Sequence, residues 1–134
     1  MAGQALTDAQ RAFLESPFVG IVTDLRPDGS PHSTVVWVDV DDGGVSINTA
    51  WPRAKPRYLA NDPRVSLVVI DPEDAYRWIA IDGTVTMSEE GANEQIDRLA
   101  KKYVGLDSYP WHRPGETRVS IRILPTRIEA RGID

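Results

Sequence analysis

The 134-residue chain contains no cysteine. Disulfide frameworks, cysteine zinc centres and thiol nucleophiles are therefore excluded. Packing alone must hold the core, and a chain of this length can build one. Histidine is nearly as scarce, with His32 and His112 the only 2 in the sequence. Two imidazoles do not make a usual zinc site without carboxylates, and neither has metal-ligand spacing on a helix, so no metal is expected. Positive charge is the minority sign: 15 Lys and Arg face 20 Asp and Glu, for a net charge of −5. That balance argues against nucleic acid, whose phosphate backbone requires a broad basic face. No apolar run approaches the length of a membrane span. The opening Met1-Ala2-Gly3-Gln4-Ala5-Leu6 lacks the basic-then-apolar order of a secretory leader. The expectation is a cytoplasmic protein without a membrane partner. With no repeat, low-complexity stretch or linker, residues 1–134 read as a single domain.

What is present is mostly strand. Thr7-Asp8-Ala9-Gln10 has the form of a capping box and predicts a short helix whose apolar stripe carries Leu6, Ala12 and Phe13, ending near Ser16-Pro17. Phe18–Leu25 reads as a strand from its β-branched and aromatic residues. Arg26-Pro27-Asp28-Gly29-Ser30-Pro31 is a hairpin turn, and His32–Asp41 is the returning strand. Asp41-Asp42-Gly43-Gly44 turns into Val45–Thr49, so these three strands are expected to form an antiparallel meander. Arg64–Ile70 is almost continuously apolar, which predicts burial on both faces or a face covered by another subunit. Tyr76–Met87 follows, with Gly83 marking a bulge or bend. A helix opens at Ser88-Glu89-Glu90-Gly91, lines up Ile96, Leu99, Ala100 and Tyr103, and is capped by Gly105. A loop rich in aromatics and prolines, Leu106–Glu116, leads to the last strand, Thr117–Ile128, interrupted by Pro125. About six antiparallel strands with short helices between them point to a closed or partly closed barrel, with a two-layer α+β sheet as the alternative.

One stretch departs from the charge balance of the rest. Asn48–Thr49 leads through Trp51-Pro52 into Arg53-Ala54-Lys55-Pro56-Arg57, which reads as the start of a helix, and Asn61-Asp62-Pro63 ends it. A helix N-terminus already attracts anions through its free N–H groups and dipole, so three cations there need a separate reason. Either an anion such as a phosphate is held among them, or they form a solvated basic helix end.

Four strings, in order, carry a resemblance. Asp28-Gly29-Ser30-Pro31-His32 fits a first-hairpin turn. Thr49-Ala50-Trp51-Pro52-Arg53-Ala54-Lys55 fits a phosphate segment that begins with Thr and ends with Lys. Trp78-Ile79-Ala80-Ile81-Asp82-Gly83 fits a long strand beside a cofactor. Tyr109-Pro110-Trp111-His112-Arg113-Pro114-Gly115-Glu116, followed by Arg118-Val119, fits a loop and final strand. Over roughly residues 6 to 131 the chain resembles the split β-barrel superfamily of flavin- and deazaflavin-binding proteins named for pyridoxamine phosphate oxidase. Within it, the chain is most like the small actinobacterial proteins that bind coenzyme F420.

The resemblance implies a mainly β fold, a six-stranded antiparallel split barrel with short flanking helices. It implies a homodimer with cofactor sites at the subunit interface. Lys55 corresponds to a phosphate-contacting lysine, a role that suits a compact ammonium with three donors. Thr49 can donate to the same group, Ala54 lies between the two cations of the segment, and Arg53 can add a planar fork. Arg57 lies where it can reach a longer acidic tail. Val36, Trp37 and Trp78 fall on strands that meet the ring, and Trp51 can wall the pocket. Each aromatic reads equally as core or interface. His112 is the candidate proton donor, in a loop it can also simply pack.

The function so implied is an oxidoreductase that transfers a hydride from reduced coenzyme F420 to a conjugated or electron-poor organic acceptor. The alternatives are an FMN-binding flavoprotein and a non-catalytic F420-binding or storage module. Arg53-Ala54-Lys55 stands where flavin members of the family have Ser-Arg-Lys, which weakens the FMN match. Pyridoxamine phosphate oxidation itself is disfavoured by the Arg131-Gly132-Ile133-Asp134 ending, which lacks the expected Arg-Leu-x-Pro. A haem role needs an axial ligand; His32 or His112 could serve, but neither has supporting context.

Overall fold

The structure is a computed structural model and describes residues 4–133. The reading of a leader at the N-terminus and of the C-terminal ending falls partly on Met1–Gly3 and Asp134, outside the described residues. Helices α1 (Asp8–Glu15), α2 (Ala54–Asn61) and α3 (Ala92–Val104) accompany seven strands. In chain order these are β1 (Gly20–Leu25), β2 (Pro31–Val36), β3 (Asp39–Asp41), β4 (Gly44–Trp51), β5 (Arg64–Asp71), β6 (Asp74–Ser88) and β7 (Thr117–Arg131).

All seven strands lie in one sheet, ordered β2-β1-β5-β6-β7-β4-β3, and every neighbouring pair is antiparallel. The two edge strands, β2 and β3, are consecutive in the chain and separated only by Trp37 and Val38. The sheet must therefore curl until its edges meet, which is the split barrel expected from the sequence. The count is seven rather than six because the strand expected over His32–Asp41 breaks at Trp37-Val38. The same break removes the expected meander: β2 pairs with β1, β3 pairs with β4, and these hairpins sit at opposite ends of the sheet.

The barrel interior is filled by the inward residues of the strands, including Val22, Ile47, Leu67, Ile79, Ile81 and Ile121, and by Val38 at the break, all fully buried. Phe13 and Leu14 of α1 close one end. Leu14, not Ala12, completes the buried stripe of α1; Ala12 faces solvent. The capping box forms as read, with Gln10 N–H donating to Thr7 and Thr7 N–H donating to the Gln10 side chain.

β5 alternates instead of being buried on both faces. Val65, Leu67 and Val69 point inward, while Val68 and Ile70 stay 40% and 43% exposed. Helix α3 begins at Ala92, behind a left-handed Gly91, and ends on Gly105 at φ 76°. β7 runs through Pro125 without a break, because Gly83 lies opposite it at a shift of register in β6. A Cβ on Gly83 would sit 2.1 Å from the carbonyl oxygen of Leu124, so only glycine permits this close approach.

Candidate functional site

Strand β4 carries Thr49 into the wall of the barrel, and the chain turns through a cis Trp51–Pro52 bond into α2. Arg53 is the N-cap of α2 and supplies no side-chain cap, so the N–H groups of the first turn remain available. Lys55 lies in that turn. Among the described residues its ammonium forms no ion pair and no hydrogen bond, and the Thr49 hydroxyl likewise has no partner. Burial pushes the Lys55 ammonium below its ordinary range; the Asp24 carboxylate pulls it back up, and the charge of Arg53 pushes it down again.

Thr49, Arg53 and Lys55 form the polar side of a cavity of about 230 Å³. Val36, Trp37, Ile96 and Leu99 provide its apolar wall, and Val35, Asn48, Tyr109 and Arg118 complete it. Trp37 is stacked on Tyr103, with centroids 5.4 Å apart and planes within 3°. Tyr103 in turn accepts from Val38 N–H at 3.0 Å and donates to the Phe18 carbonyl at 2.8 Å. The indole is thus held in place rather than free to follow a ligand.

A polar network supports the opposite wall. Gln95 of α3 donates to Ser46 and Asp39, and Asn48 donates to Gln95 and to the Ala92 carbonyl. Arg118 donates to Asn48 and is 5% exposed, with its guanidinium 4.6 Å from the Tyr109 ring centroid. Glu116 joins three side chains: Arg118 at 3.0 Å, His112 at 3.2 Å and Arg53 at 3.1 Å. Burial works to raise its carboxyl, but the hydrogen bonds and charge of Arg118, aided by His112, outweigh this and hold it below the usual range.

The residues singled out from sequence divide clearly. Val36, Trp37, Thr49, Arg53 and Lys55 line one cavity, and Ala54 is the first residue of α2 beside them. Trp51 lies in an adjoining hollow with Arg113, Pro114 and Glu116. Arg57 faces solvent, donating to the Arg53 carbonyl and lying over Tyr58, outside the cavity. Trp78 is also outside it, on the outer face of β6 next to Ile70 of β5. His112 borders a neighbouring cleft. Sequence reading passed over Asn48, Glu116 and Arg118 as site residues. The alternation of β7 gave no signal for Arg118, which falls on the face of Ser120 and Arg122, opposite the core residues Val119, Ile121 and Ile123, yet is buried. No group of three or more His, Asp or Glu among the described residues is placed to hold a metal. No helix among them is long and apolar enough to cross a membrane.

Comparison with known proteins bears on the whole of this architecture. The F420H(2)-dependent biliverdin reductase of Mycobacterium tuberculosis is 27% identical over 124 residues, covering 92% of this chain and 86% of that protein. A solved structure named F420 reductase superposes with a TM-score of 0.78 at 26% identity, covering 92% of this chain and 98% of its own. A conserved hypothetical protein of M. tuberculosis follows with a TM-score of 0.74 at 26% identity, over 98% of this chain and 88% of that one. The haem storage protein HutZ of Vibrio cholerae, at 15% identity and a TM-score of 0.68, shares the fold, covering 97% of each chain. The family model described as pyridoxamine 5'-phosphate oxidase matches residues 6–132, and the chain belongs to that family.

Proposed function

We propose that the protein is a reductase that binds reduced coenzyme F420 and delivers a hydride to a conjugated or electron-poor organic acceptor. The observation that carries this reading is Lys55: a half-buried ammonium that forms no ion pair among the described residues and lines one cavity with Thr49, beside the uncapped first turn of α2. Such a group costs stability in the empty protein and gains from an anion. Phosphate is the natural match, since the first-turn N–H groups, the helix dipole and the hydroxyl all favour it. The apolar wall of Val36, Trp37, Ile96 and Leu99 suits a flat ring system on the other side. When bound, the deazaflavin supplies the hydride; the chain's own residues hold its phosphate, orient its ring and exclude water. The relatives at 26% and 27% identity that bear F420 in their names support this cofactor over FMN.

The functional unit in this reading is a homodimer. Val35, Ile21 and Val68 sit side by side across β2, β1 and β5, at 64%, 44% and 40% exposure. Ile70, Val19 and the adjacent Trp78 extend this apolar face. An exposed apolar patch of this kind on a sheet is characteristic of an association surface. Val35 also borders the cavity, so a second copy docked here would complete the mouth of the site.

Titration of the purified protein with coenzyme F420, FMN and haem tests the cofactor assignment. Tight F420 binding with weaker FMN binding is expected, followed by oxidation of reduced F420 in the presence of an acceptor. Tight FMN binding without F420 binding would overturn the assignment. Binding of F420 with no turnover across a broad acceptor panel would favour a storage module.

A further inference from the structure

Next to the cofactor cavity lies a second, larger cleft of about 770 Å³, formed by Arg53 and the loop segment Tyr109–Arg113. Its walls are unusual for an acidic protein. Tyr109 stands at the centre of an aromatic group, edge-on to Trp111 at 5.6 Å and to His112 at 5.0 Å. Trp111 is 53% exposed and leaves an indole surface open at the cleft. Two guanidiniums flank these rings. Arg53 is held at one edge by Glu116 at 3.1 Å, and Arg113 forms no ion pair among the described residues. Glu116 is already shared among Arg53, Arg118 and His112, so the cleft keeps an excess of positive charge on a chain whose net charge is −5. Arg53 and Tyr109 border both the cleft and the cofactor cavity, making the two spaces contiguous.

We propose that this cleft binds the acceptor, and that the acceptor is a flat, conjugated or aromatic carboxylate. The rings of Tyr109 and Trp111 select a planar body, since aromatic faces reward extended π systems and give little to a flexible chain. The Arg113 and Arg53 forks select a carboxylate, which guanidinium groups bind with paired, charge-assisted hydrogen bonds. A flexible oligoglutamate would satisfy the arginines and leave the rings uncovered, which is why the aromatic wall assigns the cleft to a planar ligand. That the bound carboxylate is a substrate rests on the reductase reading; that the cleft binds it does not.

The first arm of the test uses the full-length, cofactor-free protein and follows tryptophan fluorescence. Naphthalene-2,6-dicarboxylate is expected to bind and quench, and tri-γ-glutamate to bind far more weakly. Arg113→Ala and Trp111→Ala should each weaken the naphthalene dicarboxylate by about tenfold. Both side chains are exposed, so neither variant should disturb folding, and an unchanged circular dichroism spectrum checks this. Absence of naphthalene dicarboxylate binding, or equal binding of the glutamate peptide with no effect of Trp111→Ala, overturns the proposal. The second arm compares a conjugated carboxylic acid with its methyl ester as acceptors for reduced F420. A preference for the acid carried in KM and lost in Arg113→Ala is expected, and equal use of acid and ester by the parent protein overturns the substrate role. Failure of F420 to bind at all would refute the reductase reading while leaving the first arm to decide the cleft.

Discussion

The carboxylate of Asp24 is fully buried beneath α2 and meets one side chain, His32, whose Nδ1 lies 2.7 Å from its Oδ1. Its second oxygen has no partner in the structure, and neither has the buried hydroxyl of Thr34, one step along β2 from His32 on the same face. Tyr58 of α2 packs edge-on against the His32 ring, joining this pair to the helix that carries Lys55. His32→Phe keeps the packing and removes the one hydrogen bond that the Asp24 carboxylate makes among the described residues. It should destabilise the protein by about 2 kcal/mol, the scale for leaving a buried polar group without its partner. Urea denaturation of His32→Phe, and of His32→Phe combined with Asp24→Asn, checks this: the second change should recover part of the loss. A cost below about 1 kcal/mol for the single variant would show that the pair is not what holds the carboxylate in place.

Lys55→Ala removes a half-buried cation that forms no ion pair among the described residues. Cofactor affinity should fall by at least about tenfold, the scale of a charge-assisted contact to phosphate. Thermal stability of the empty protein should stay level or rise, because the desolvation cost of the ammonium disappears. Isothermal titration and a melting curve on the same preparation separate the two. An unchanged dissociation constant would remove Lys55 from the site.

The alkaline limb of stability should have a maximum near pH 10. Burial lowers Lys55 and Lys102 from their ordinary 10.5, so over the range just below that value the unfolded chain binds more protons and stability rises with pH. Burial pushes the Tyr103 phenol from 10.0 up to about 12, so between those values the folded chain holds the extra proton and stability falls. Denaturation midpoints from pH 8 to about 11 test this, and Tyr103→Phe should flatten the descending side. A monotonic curve in the parent protein would contradict the assignment.

Gly83→Ala places a methyl group 2.1 Å from a backbone oxygen that cannot move without breaking the β6–β7 ladder. The loss expected is about 3 kcal/mol, at the upper end of overpacking costs, measured by urea denaturation. Ala80→Gly, on the same strand and without this contact, is the control for general strand effects.

Ile21→Asp on the apolar outer face should convert a dimer to a monomer and weaken cofactor binding with it. Light scattering and F420 titration on the same variant read both effects. A monomeric parent protein would end the homodimer proposal.

Much of this was legible in the sequence, for identifiable reasons. The capping box at Thr7, the Gly29 hairpin and the Gly105 cap each depend on contacts within a few residues, so local pattern was sufficient. The cluster Arg53, Lys55 and Arg57 stood out because cations at a helix start conflict with its dipole, whereas the phosphate roles proposed for Thr49 and Lys55 came from the family resemblance. The break at Trp37-Val38 was not legible, since Val35-Val36-Trp37-Val38 has unbroken strand propensity. It is imposed from a distance, by Tyr103 and Lys102 of α3 taking the Val38 N–H and carbonyl. Glu116 and Arg118 were missed for a similar reason: their roles depend on Asn48 and Arg53, which are remote in sequence.

The break at Trp37-Val38 gives the barrel a seam. Every other junction between neighbouring strands is a ladder of backbone hydrogen bonds, but here closure passes to side chains of one helix. Lys102 ties the Val38 carbonyl to that of Leu14, and Tyr103 ties Val38 to Phe18 while stacking on Trp37. Helix α3 therefore works as a clasp: undocking it would open the cylinder and release the indole that walls the cavity of Thr49 and Lys55 in a single motion.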